Sequence, residues 1–351
     1  MKVILAKHAG FCMGVRRAVE TALDTVHKEI NGIATFGPLI HNPQVLDMLE
    51  EKGVKTLKDI PEKIDGTVII RAHGVPPSQK EDLLRSGARV QDATCPRVMK
   101  VQAIISKHKK EGYSTVIIGD KDHAEVTGLM GYAAPMGILV SNAADVAGLH
   151  INGPYIIVSQ TTQDERTFEK LKEMILTRFP GGKVFNTICD STHKRQEEVK
   201  NICAIVEAVV VVGGSASANT QRLGEIVTGM NRPVFMVETE KDLDLESLCL
   251  FNCVGVTAGA STPSWVINRV MQTLESLPGY NENFLRTFLR KTLWFLLTTN
   301  LYVSLGGGAL FYTATKLQGH AFSWTYFLIA TGYFCHAQFK QIVGLEIKAV
   351  Q

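Results

Sequence analysis

The sequence predicts an α/β protein built from three small units with mostly parallel sheets, arranged around a pseudo-threefold axis. Short β-branched runs such as Val68–Ile70, Tyr155–Val158 and Val209–Val212 alternate with helical stretches, the pattern of parallel sheets covered on both faces. That alternation occurs three times, each time around a cysteine: Cys12, Cys95 and Cys189. Each cysteine ends a short strand-like run and precedes a helix-like one.

Hydrophobic period and chain breakers place the elements of each unit. After the cysteines come helices at Gly14–Lys28, Arg97–Glu111 and His193–Glu207. Strands follow that end in polar loops: Ile33–Gly37 into His41-Asn42, Thr115–Gly119 into Asp122-His123-Ala124-Glu125, and Ala208–Gly213 into Ser215–Asn219. A short helix and strand lead to a second buried strand, ending at Arg71–Gly74, Ser159–Thr162 and Gly259–Thr262. Helices at Ser78–Ser86, Asp164–Arg178 and Ser264–Leu277 then return the chain to the next cysteine-bearing strand, and the last unit closes on Lys2–Lys7. The units are expected at 1–95, 96–188 and 189–281, with a C-terminal extension at 282–351. Ligands of open α/β sheets gather at the carboxyl ends of strands, so the polar loops are expected to face one central cavity.

Composition narrows the function. The chain has 351 residues, 45% of them apolar, enough to bury several cores. A net charge of +3 without a basic stripe argues against nucleic acid. The N-terminus has no secretory pattern, and seven cysteines, an odd number, fit a reducing compartment. Cys203, Cys249 and Cys253 read as small buried hydrophobes.

Cys12, Cys95 and Cys189 are too far apart for the close pairs of structural zinc sites. Three thiolates with one open position match a [4Fe–4S] cluster whose fourth iron can take substrate. The loops add donors for an anion: His41, His73 and His123, with Thr161, Ser217, Asn219 and Ser261 near helix starts. Taken singly, each is an ordinary hydrogen-bonding or capping residue; equivalent placement in successive repeats points to a shared site. No P-loop or Gly-x-Gly-x-x-Gly motif indicates a nucleotide. Glu125 is the one carboxylate expected to face the cavity beside a histidine, where enclosure would tune it to deliver protons.

Seven motifs carry a resemblance: Phe11-Cys12-Met13-Gly14-Val15-Arg16-Arg17-Ala18, Gly37-Pro38-Leu39-Ile40-His41-Asn42, Arg71-Ala72-His73-Gly74-Val75, Asp92-Ala93-Thr94-Cys95-Pro96, Gly119 with His123-Ala124-Glu125-Val126, Ser159-Gln160-Thr161-Thr162 and Gly259-Ala260-Ser261-Thr262-Pro263. Over residues 1–280 the chain resembles the 4-hydroxy-3-methylbut-2-enyl diphosphate reductases. The resemblance implies reductive dehydroxylation of that diphosphate to isopentenyl and dimethylallyl diphosphates, the last step of the methylerythritol phosphate route. It implies one [4Fe–4S] cluster on Cys12, Cys95 and Cys189, whose fourth iron takes the substrate oxygen and which passes on electrons from a donor such as ferredoxin or flavodoxin. It also implies Glu125 as proton source with Thr161 beside it, and His41, His73, His123, Ser217, Asn219 and Ser261 on the diphosphate. One departure is Ala218, where the family commonly has a serine; the missing hydroxyl costs about 0.5–1.5 kcal/mol of binding unless a backbone amide compensates. Two other classes remain open: a hydro-lyase with a three-cysteine cluster, and a membrane-tethered metal or redox sensor.

The C-terminal region differs in kind. No charge occurs from Thr292 to Thr315, and His320–Phe339 carries none beyond histidines. Two such runs, joined at Lys316–Gly319, predict a hairpin over 292–339 long enough to cross about 30 Å of hydrocarbon. Arg286, Arg290 and Lys291 before it, and Lys340 and Lys348 after it, put both ends in the cytoplasm, so that the hairpin would tether a cytoplasmic catalytic domain to the inner face of the membrane. Its start faintly resembles that of an intramembrane prenyltransferase; too few spans follow for a second active site, so an anchor or truncated fusion is expected.

Overall fold

In the computed structural model, residues 1–29, 32–280, 285 and 287–294 are described. The chain opens with β1 (Lys2–Leu5) and α1 (Met13–Lys28). A first sheet unit follows: β2 (Ile33–Phe36), α2 (Pro43–Glu51), β3 (Val54–Leu57), β4 (Thr67–Ile70), α3 (Pro77–Arg85) and β5 (Arg89–Asp92). Next, α4 (Pro96–Lys110) leads into β6 (Ser114–Ile118), α5 (Ala124–Ala133), β7 (Gly137–Val140), α6 (Ala143–Ala147), β8 (Tyr155–Ser159), α7 (Glu165–Arg178) and β9 (Lys183–Val184). The third passage is α8 (Asp190–Cys203), β10 (Ala208–Val212), α9 (Ala218–Gly229), β11 (Val234–Val237), α10 (Leu245–Leu248), β12 (Cys253–Ala258) and α11 (Ser264–Glu275).

The three sheets share one topology. Their orders are β3-β2-β4-β5, β7-β6-β8-β9 and β11-β10-β12-β1, and every pairing is parallel. The fourth place in the third sheet is filled by the N-terminal strand, with Lys2 opposite Cys253 and Leu5 opposite Val256. The Met1 amino group also donates to the Leu277 carbonyl at 2.8 Å, so the two ends of this unit meet.

Each sheet is buried on both faces, as its unbroken apolar strands require. In β10, Val210 and Val212 pack on Val266, Val270 and Leu274 of α11, while Val209 and Val211 pack on Val199 of α8 and Leu223 of α9. The second sheet divides in the same way, with Val116, Ile118 and Ile157 under α7 and Ile117, Ile156 and Val158 under α4 and α5. At about 1.5–3 kcal/mol per fully buried large apolar side chain, these two-sided strands dominate the cohesion of each unit.

Two differences from expectation have local causes. The third cysteine helix spans Asp190–Cys203, three residues earlier than expected, because Cys189 itself is the N-cap. It also stops earlier, with Ala204 as its C-cap, and beyond it the Glu207 carboxylate accepts the Asn252 and Cys253 N–H groups beside β12. Cys203 is buried as expected, but Cys249 and Cys253 are only partly so; the six cysteines among the described residues are all free thiols.

Met1–Gly279 forms one compact unit and Tyr280–Gln351 another. Of the second, residues 287–294 are helical. The hairpin expected over 292–339 lies outside the described residues from 295 onward. Among the described residues no helix is long and apolar enough to cross a membrane.

Candidate active site

The three cysteines occupy equivalent positions. Each is the N-cap of its helix, α1, α4 or α8. Each backbone N–H donates to the carbonyl two residues past a strand end: Cys12 to Ala260, Cys95 to Ala72 and Cys189 to Thr161, at 2.9–3.1 Å. All three line one cavity at the carboxyl ends of the strands, with about 100 Å³ of space for water-sized groups. That is several times the roughly 10–15 Å³ a single water needs.

The residues present fit an iron–sulfur group. Helix N-termini favour thiolates, and three of them converge here. The wall is cut close at Gly14, where a Cβ would stand 2.4 Å from the Cys95 sulfur. Burial pushes the Cys95 thiol above its usual range, and the charges of Cys12 and Cys189 push it further, a shift that a bound metal would reverse. Arg195, 4% exposed, donates to the Gly10 carbonyl and places its charge near Cys12 and Cys189.

Glu125 lies in the first turn of α5 and is 2% exposed. Thr161 meets it twice: the Thr161 N–H donates to Oε1 at 2.6 Å and the hydroxyl to Oε2 at 2.7 Å. Burial dominates these bonds and, with the Asp120 charge adding to it, raises the carboxyl pKa to about 7. A buried carboxyl near neutrality can hold and release a proton at working pH.

His41, His73 and His123 form a cluster with ring centroids 4.5–5.8 Å apart. Burial lowers all three, that of His123 to about 4, and Arg71 pushes each of them the same way. The Glu125 N–H donates to His123 Nδ1 at 3.2 Å, so the neutral His123 ring carries its proton on Nε2. His41 Nε2, His73 Nδ1 and Asn219 Nδ2 are buried without a hydrogen-bond partner. The three ring nitrogens are close enough to ligate a cation. Arg71 acting on all three, and the orphaned Asn219 amide N–H beside them, suit an anion instead.

Ser217 caps α9, accepting the Thr220 N–H at 3.4 Å. Ala218, the first residue of α9, and Asn219 bring unpaired helix-start amides to the same cavity. The Ser261 hydroxyl lines it too, but donates to the His41 carbonyl at 2.9 Å, tying the third unit to the first. All the candidate residues read from the sequence thus meet at one place. Sequence reading quoted Arg71 in a motif without giving it a role and missed Asp120 and Arg222; all three line an adjoining polar chamber of about 590 Å³ that shares His41, His123 and Ala218. Asp120 and Arg222 stand on different units, so no local pattern joins them.

The family described as LytB protein matches residues 3–275. The 4-hydroxy-3-methylbut-2-enyl diphosphate reductase of Geotalea uraniireducens is 43% identical over 280 residues, covering 79% of this chain and 98% of the relative. That of Geobacter sulfurreducens is 41% identical over 275 residues, 78% of this chain and 97% of the relative. Among solved structures, the E-1-hydroxy-2-methyl-but-2-enyl-4-diphosphate reductase of Plasmodium falciparum superposes with a TM-score of 0.74 at 30% identity, covering 77% of this chain and 87% of that one. A structure of (E)-4-hydroxy-3-methyl-but-2-enyl diphosphate reductase, described as the terminal enzyme of the non-mevalonate pathway, superposes with a TM-score of 0.61 at 38% identity, over 79% and 100% of the two chains. With its three like sheets, its cysteine-lined cavity and these relatives, the chain belongs to the LytB protein family.

Proposed function

We propose that the protein reduces (E)-4-hydroxy-3-methylbut-2-enyl diphosphate to isopentenyl and dimethylallyl diphosphates. The observation that carries this reading is the single cavity that holds three cysteines, a buried carboxyl near neutrality and orphaned donors for an anion. Cys12, Cys95 and Cys189 would hold one [4Fe–4S] cluster. When bound, such a cluster supplies electrons and a Lewis-acidic iron.

The chain's own residues do the rest. His41, His73, His123, Asn219 and the amides at the start of α9 bind the diphosphate and fix the hydroxyl end toward the cysteines. Ser217 and Ser261 keep those donors in place through the bonds they already make. Glu125 holds a proton, and Thr161 Oγ1, 2.7 Å away, passes it to the departing hydroxyl. The allylic C–O bond breaks, two electrons and two protons enter, and water leaves. The electrons would come from a one-electron donor protein of the ferredoxin or flavodoxin kind. The uncharged run from Thr292 to Thr315 supports membrane contact for the C-terminal segment, which co-flotation of the full chain with vesicles would test.

Anaerobic purification, iron and sulfide quantification, and turnover with a chemical one-electron donor test the reading. About four irons per chain and both five-carbon diphosphates are expected. Hydration or dehydration without a donor would assign the site to a hydro-lyase instead, and freshly made protein without iron would sink the mechanism.

A further inference from the structure

The polar chamber beside the cavity contains a ring of hydrogen bonds closed by one side chain of the third unit. Arg222 lies one turn along α9 from Asn219, on the same face of the helix. Its side chain is 11% exposed. Its Nη2 donates to both Asp120 oxygens at 2.7 Å, and its Nε donates to the Thr162 carbonyl at 2.7 Å. Asp120 begins the loop that runs through His123 to Glu125, and Thr162 follows Thr161, the partner of Glu125. The Asp120 N–H donates to Gln160 Oε1 and Gln160 Nε2 donates to Thr162 Oγ1, each at 2.8 Å, so the two loops are bound to each other as well as to the guanidinium.

The helix that carries Arg222 is also the one whose first residues face the anion cluster. A ligand held by the α9 amides and Asn219 therefore loads the same rigid element that grips the loops leading to Glu125 and Thr161. A planar fork holding a carboxylate and a carbonyl at once transmits position; a single ammonium at that place would not. We propose that Arg222 is a positioning residue for proton delivery, coupling occupancy of the α9 N-terminus by a diphosphate to the placement of the Glu125–Thr161 pair. This rests on the reading of the site as a diphosphate reductase.

The test uses the full, cluster-loaded chain with Arg222→Met, Arg222→Lys and Asp120→Asn. In Arg222→Met, kcat falls about 10- to 100-fold, the scale of a small misplacement of reacting groups, while KM stays within about threefold. Arg222→Lys, which keeps the charge and loses the fork, resembles Arg222→Met more than the parent. Hydrogen exchange over residues 159–163, with and without inorganic pyrophosphate, supplies the second readout. Pyrophosphate slows exchange there in the parent and no longer does so in Arg222→Met; if that variant fails to fold, Asp120→Asn loosens the same ring and shows the same loss. An unchanged kcat, or pyrophosphate protection retained in the folded variants, would overturn the coupling. A parent that never turns over the allylic diphosphate would overturn the functional reading instead, while the exchange response would still decide the role of Arg222.

Discussion

Glu125 titrates near neutrality, and that makes the stability of the fold depend on pH. Its carboxyl is raised from 4.5 to about 7, chiefly by burial. Between those values the folded protein holds a proton that the unfolded chain has lost, so stability falls as pH rises through the window, by up to about 1.4 kcal/mol per unit. Glu125→Gln should flatten that slope, which urea midpoints at pH 5 and pH 7.5 would show, and should abolish turnover while iron content stays that of the parent. Unchanged turnover in Glu125→Gln would take proton delivery away from Glu125. The histidines give a second residue-scale prediction. Burial and Arg71 hold all three below their usual range when the cavity is empty, and a bound anion works the other way, so inorganic pyrophosphate binding near pH 6 should take up protons, seen in calorimetry as heats that vary with buffer ionisation enthalpy. At this scale the sequence is legible wherever a loop repeats: His41, His73, His123, Glu125 and Thr161 each lie in the stretch that follows a strand. Arg222 and Asp120 are not, because they lie 102 residues apart and carry no motif.

At the scale of elements, each cysteine helix serves by its first turn. In α1, Gly14 leaves room for the Cys95 sulfur, and Gly14→Ala would put a methyl 2.4 Å from it. That variant should keep its circular dichroism yet bind less iron after anaerobic reconstitution; full iron content would mean the first turn can shift. In α9 the gap is a hydroxyl. Ala218→Ser adds the donor that the family resemblance implies and should tighten inorganic pyrophosphate by about 2- to 12-fold, the equivalent of one hydrogen bond. No change would show that the amides at the helix start already serve the anion. The start of α8 is hard to read from sequence for the same reason that makes it useful: cysteine is an uncommon cap, so Asp190-Ser191-Thr192 reads as the approach to a helix when Cys189 has already begun it.

At the scale of the whole chain, the threefold plan is legible in the residues themselves, because two-sided burial writes strands such as Val209–Val212 as plain apolar runs and the cysteines mark each return. The order of strands within a sheet is not, since it depends on which edges meet. The reductase unit ends where its relatives end: 280 aligned residues take up 98% of one relative but 79% of this chain. A chain stopped after Gly279 should therefore keep the iron content and kcat of the full protein, as anaerobic assays of both would show; a loss would give the C-terminal segment a part in catalysis. The closure of the third sheet by β1 has a consequence for how the protein is made. Lys2 is synthesised well before its partner Cys253, and at about 5–20 residues per second that delay is on the order of 10–50 s. Through that interval the nascent chain carries a strand whose partner does not yet exist, and a segment made early is among the last to find its place.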